Sequence, residues 1–143
     1  MRLLRGLIFS LALLLPTWAW AVNTGDLSGA AGGPIECPLE NIVTAVVTST
    51  AGANTSGIAA QGAGFRVYLK QAIIYNTGAS NGHMIITDGS GGTTKADVPY
   101  PASTGSTIVF PTPIPFTANT AIFVDPSGAD NIIVTLIGCK RTL

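Results

Sequence analysis

The chain has 143 residues, seven basic and seven acidic side chains, 47% apolar residues and only 10% charged ones. A soluble domain is ordinarily about 25% charged, so this surface is unusually neutral. Lys and Arg are too few for a basic nucleic-acid footprint, one His and two Cys cannot build a zinc cluster, and the apolar content excludes charge-driven disorder.

Arg2 and Arg5 precede an apolar run from Leu7 to Leu15, and Pro16 breaks that run. Ala19-Trp20-Ala21 follows with the small-x-small pattern of a cleavage site. This is the pattern of a secretory signal peptide over residues 1–21, an N-terminal signal helix cut between Ala21 and Val22. The apolar run is short for a membrane span. Membrane contact is therefore expected only through this segment, as an anchor, if it is retained. Removal takes away both Trp, leaving five basic against seven acidic residues, a formal net charge of −2. So little charge gives copies of the chain little reason to repel one another.

Residues 22–41 read as a Gly/Ala-rich arm with little to bury; Val22, Asn23, Leu27 and Ile35 are its candidate contact residues. Cys37 lies at its base and Cys139 near the end of the chain. In an exported protein two such thiols are expected to pair as a disulfide, closing a loop of about 100 residues. Neither Cys has the CxxC spacing of a redox pair.

Residues 42–143 are expected to form one all-β domain. Runs rich in β-branched and aromatic residues fall at 42–49, 65–76, 83–87, 93–98, 107–110, 121–124 and 131–137. No helical i, i+3, i+4, i+7 pattern competes with them. Phe65, Val67 and Leu69 alternate with Arg66, Tyr68 and Lys70, which places the apolar set on one face. Past Gln71 the continuous run Ala72-Ile73-Ile74-Tyr75 implies a bend or burial on both sides. Asn76 to Gly82, Asp88 to Gly92 and Asp125 to Asp130 carry turn chemistry. Residues 51–64 read as a long loop. Phe110-Pro-Thr-Pro-Ile-Pro-Phe116 alternates proline, which opposes regular ladder pairing and suits a cover for the sandwich edge. Seven or eight short strands in this length point to a single antiparallel β-sandwich, a jelly roll first and an immunoglobulin-like Greek key second.

Catalytic chemistry is not expected. His83 is the single imidazole, it follows a turn, and no G-x-S-x-G elbow is present. The acidic residues are scattered, and the mature chain has no Trp on which a sugar would stack. Asp88, Asp125 and Asp130 are the nearest approach to hard-metal ligands, but their spacing is not that of an EF-hand. Asn54-Thr55-Ser56 fits a glycosylation sequon and suggests only a surface loop. No cofactor, metal or nucleic-acid partner is expected.

From Phe65 onward the order of features runs Ile73-Ile74-Tyr75-Asn76-Thr77, Thr87-Asp88-Gly89, Asp97-Val98-Pro99, Ile114-Pro115-Phe116 and Gly128-Ala129-Asp130. It resembles the small β-sandwich structural and decoration proteins of tailed phages, virions and prophages, over about half of the chain. The resemblance implies an assembly protein without enzymatic residues and carries over no site. The export signal and the cysteine pair depart from that pattern, because virion proteins assembled in the cytoplasm need neither. They point to a secreted structural subunit whose partner is itself, forming an extracellular filament, fibre or surface layer, with the arm available for strand addition to a neighbour. The alternatives are a carbohydrate- or protein-binding module using Tyr68, Tyr75 and Tyr100, and a membrane-anchored virion spike or decoration protein.

Overall fold

The computed structural model describes residues 37–50, 52–127 and 131–143. The signal segment with Ala19, Ala21 and Val22, the arm residues Val22, Asn23, Leu27 and Ile35, and Asp130 lie outside the described residues. Among the described residues no helix is long and apolar enough to cross a membrane.

A short 3-10 turn, Leu39–Asn41, leads into eight strands: β1 (Ile42–Ser49), β2 (Thr55–Ser56), β3 (Phe65–Asn76), β4 (Gly82–Asp88), β5 (Thr93–Tyr100), β6 (Gly105–Pro115), β7 (Ile122–Pro126) and β8 (Ile132–Thr142). They form two four-stranded antiparallel sheets, ordered β1-β8-β3-β6 and β2-β7-β4-β5. First pairs with last, second with seventh, third with sixth and fourth with fifth. This is the strand order of a jelly roll, a long hairpin wound into a two-layer sandwich.

The strands form here because their apolar residues recur at the period of a sheet. Val43, Ala45 and Val47 of β1 face inward, as do Ile132, Val134 and Leu136 of β8, while Ile122 and Val124 of β7 face them from the other sheet. Met84 and Ile86 of β4 and Val98 and Tyr100 of β5 join them from the β7 side of the core. Ile58 and Phe116, from the connections, plug the ends of the same core. Each fully buried side chain of this kind stabilises the fold by about 1.5–3 kcal/mol relative to exposure.

Two sequence expectations change, and one left open between two alternatives is decided. The stretch 51–64 is not one loop, because Thr55–Ser56 pairs with Val124 and Phe123 as β2. Two residues carry no period, so only the turn before them marks the strand. There the buried Ser49 hydroxyl donates to the Ala53 carbonyl at 3.0 Å and lies 2.8 Å from Thr55 Oγ1, tying the corner where the chain changes sheets. Next, β3 bends rather than being buried on both sides. A register shift between Leu69 and Gln71 moves the inward set from Val67 and Leu69 to Ala72, Ile74 and Asn76, leaving Ile73 and Tyr75 exposed. A bulge inserts one residue, and the side-chain alternation changes parity across it. Finally, the proline-rich segment belongs to a strand: β6 runs through Pro115 and pairs Ile114 with Leu69. Its ladder is interrupted between Val109 and Ile114, which contains Pro111 and Pro113. Proline is tolerated there because β6 is an edge strand. Phe116 beyond it is 1% exposed.

Cys37 and Cys139 are joined by a disulfide with a Cα–Cα distance of 5.7 Å. It fastens the base of the arm, at the entry to β1, onto β8.

Candidate assembly surface

The β1-β8-β3-β6 sheet has an outer face as well as a core face. Register assigns that outer face row by row. Thr48, Ile133, Tyr75 and Gly105 lie side by side across the four strands. The next row is Val46, Thr135, Ile73 and Thr107, and the third is Thr44, Ile137, Gln71 and Val109. None of these residues carries a charge. Val46 and Val109 are 69% and 64% exposed and Tyr75 is 52% exposed; Ile73 and Ile133 also remain in solvent. Strands about 4.8 Å apart and rows two residues apart make this a patch of roughly 400 Å². About half of its residues are apolar, and the rest are mostly threonine.

The charges of this sheet lie at the border of these rows and beyond them: Lys70, the residue skipped at the β3 register shift, stands beside Gln71, and the others lie at the far end. Arg66 opposes Arg141 across β3 and β8, one row beyond the Tyr68–Cys139 pair. The Lys140 ammonium sits 5.7 Å from the centre of the Phe65 ring, a cation–π distance.

The opposite sheet is different in kind. Ile85 lies in register between Asp97 on β5 and Asp125 on β7. His83 Nδ1 is 3.2 Å from Asp97 Oδ1, with both side chains more than half exposed. A pair so open to water contributes little to stability. Asp88 is a structural acceptor: it takes hydrogen bonds from the Thr117 backbone N–H and hydroxyl and lies 3.4 Å from Lys95 Nζ. This holds the β6–β7 connection against the end of β4. Asp125 is a strand residue of β7, not a loop residue as expected, and among the described residues no group of three His, Cys, Asp or Glu is placed to hold a metal ion.

The three tyrosines do not converge. Tyr100 is 2% exposed in the core, while Tyr68 and Tyr75 are on the other sheet, on opposite sides of the β3 bulge. The three-tyrosine binding patch is therefore not formed.

Sequence reasoning missed the outer face, because its five exposed apolar residues come from four segments far apart in the chain. The signal was the unbroken apolar character of 72–75 and 132–134, which exceeds what one-sided burial requires.

No protein-family model matches the chain, and no curated protein matches it. Among solved structures it is similar to a chain from the disulfide-linked pili of Bacillus endospore appendages. The TM-score is 0.41 and the identity 12%, covering 78% of this chain and 99% of that one. It is also similar to part of oxalate decarboxylase, from Bacillus subtilis in one of the two structures. There the TM-score is 0.31 and the identity 14%, over 72% of this chain and 24% of that one. The molecule is a disulfide-closed jelly-roll sandwich, and the reading of its role rests on its own residues.

Proposed function

We propose that the chain is an exported, non-catalytic structural subunit that self-associates outside the cell through the outer face of its β1-β8-β3-β6 sheet. The observation that carries this is the uncharged face bearing Val46, Ile73, Tyr75, Val109 and Ile133. A solvated sheet face is ordinarily polar; this one offers apolar area and threonine methyls, with Lys70 at its border as the nearest charge. The disulfide supports an oxidising compartment, and residues 1–21 supply the export signal in this reading. The partner is a second copy, and the product is a filament, fibre or surface layer, or a virion layer if residues 1–21 are retained as an anchor.

Sedimentation velocity of the oxidised, exported protein over a wide concentration range tests it, with negative-stain microscopy of the same samples. Association that rises with concentration, with regular particles or filaments on the grid, is the expected result. A monomer at every concentration refutes the reading.

A further inference from the structure

Among the described residues the outer face has an unguarded edge. Each sheet of the sandwich, among the described residues, ends in two strands that have a neighbour on one side only: β1 and β6 in one sheet, β2 and β5 in the other. Exposed edges invite pairing with other chains, and folded proteins ordinarily block them with proline, charge or shortness. Three of the four edges here are blocked. Strand β6 carries Pro111, Pro113 and Pro115; β5 carries Lys95, Asp97 and Pro99; β2 has two residues. Strand β1, with the sequence Ile-Val-Thr-Ala-Val-Val-Thr-Ser, has eight residues with no proline and no charge. It pairs with β8 without a register shift, and β8 is its one sheet neighbour among the described residues.

We infer that β1 is a self-pairing edge, which joins β1 of a second copy antiparallel about a two-fold axis at Ala45. The inference rests on the self-association reading above and names the contact. The strand is self-complementary in that register. Val43 falls opposite Val47 of the second copy and Thr44 opposite Val46 of the second copy. The half-buried residues Val43, Ala45 and Val47 thus meet their like, and so do the exposed residues Ile42, Thr44, Val46 and Thr48. Residues of equal parity in one strand direct their main-chain groups to the same side, so the outward amides and carbonyls of the two copies meet. No like charges are brought together.

The pairing also completes the proposed surface. One outer face of roughly 400 Å² falls short of the roughly 800 Å² per partner of a stable specific interface. Two sheets joined at β1 present one eight-stranded face of about twice the area. The dimer then has a platform large enough for a further layer, charged only at its border by Lys70.

Charge placed on the edge tests this. Thr44 and Val46 are both exposed, so the variants spare the core. In Thr44→Lys/Val46→Lys, lysines face lysines across the two-fold in two pairs, and the dimer dissociation constant should rise ~10-fold or more, with the thermal midpoint kept. In Thr44→Lys/Val46→Glu, each lysine faces a glutamate of the second copy, and dimers should return. Thr107→Lys/Val109→Lys puts the same charge on the same outer face at the β6 edge, and should leave the dimer intact while blocking higher assembly. Sedimentation velocity reads all three beside the wild type. If Thr44→Lys/Val46→Lys dimerises like the wild type, or Thr44→Lys/Val46→Glu stays monomeric, β1 self-pairing is wrong and another contact, including an arm laid along β1, joins the copies. Self-association itself would then still stand. A wild type that is monomeric throughout refutes the self-association reading instead.

Discussion

Asn76 is wholly buried at the end of β3, and its amide is a three-bond hub. Nδ2 donates to the Ser80 carbonyl at 2.7 Å and to the Pro101 carbonyl at 3.0 Å, while Oδ1 accepts from the Gly78 N–H at 2.9 Å. The hub joins the β3–β4 turn to the β5–β6 turn, that is, one sheet to the other. Asn76→Asp keeps the shape but replaces the donor with an oxygen aimed at two carbonyl oxygens. Two hydrogen bonds are lost at about 1 kcal/mol each, two carbonyls are left unsatisfied, and a buried charge adds several kcal/mol. A total loss of about 4–6 kcal/mol is a large part of the 5–15 kcal/mol available to a domain. It corresponds to a fall in Tm of about 20 °C or more for a chain of this size. The carboxyl at position 76 is pushed up by burial and by the facing carbonyls. The folded state therefore binds its proton more tightly than the unfolded one, whose group titrates near 3.9. The sign follows: the penalty is full above the raised folded value and shrinks as pH falls through it, where the protonated group regains one donor. Thermal melts of variant and wild type, compared at neutral and acidic pH, measure this. A neutral-pH difference under about 4 °C, or one that widens on acidification, refutes the assigned donor geometry.

Three further outcomes follow from other parts of the molecule. Cys37→Ser/Cys139→Ser opens a bridge spanning 102 residues and should cost about 4–5 kcal/mol in chemical denaturation; a loss under about 1 kcal/mol would show that the bridge does not restrain the unfolded chain. Gly138→Ala should cost about 1–3 kcal/mol by overpacking, since an added Cβ meets Val67 Cγ1 at 2.9 Å and the Tyr68 carbonyl at 3.1 Å; unchanged stability would mean β8 can move away from β3. Association through an uncharged face should survive, or strengthen, between about 0.05 and 0.5 M NaCl, as followed by light scattering. A steep loss with salt would assign the contact to the Arg66–Arg141 end and the acidic opposite sheet.

The sequence alone determined the all-β class and the two-sheet sandwich. The alternation in 42–49 and 65–70 and the turn residues at 76–82 and 88–92 are local signals, and sheet formation reads local signals directly. The lack of charge was equally plain, although composition cannot say on which face that lack falls. Only the tertiary structure decided the jelly-roll order, because which strands become neighbours depends on contacts between residues up to a hundred positions apart. It also decided the parity change in β3: one inserted residue is invisible in a run of apolar side chains, yet it turns Ile73 and Tyr75 outward. Asn76 read as an ordinary turn residue until the distant β5–β6 turn closed against the amide that already holds its own turn. The outer face emerged the same way. Val46, Ile73, Tyr75, Val109 and Ile133 lie on four strands, and only their register makes them one surface.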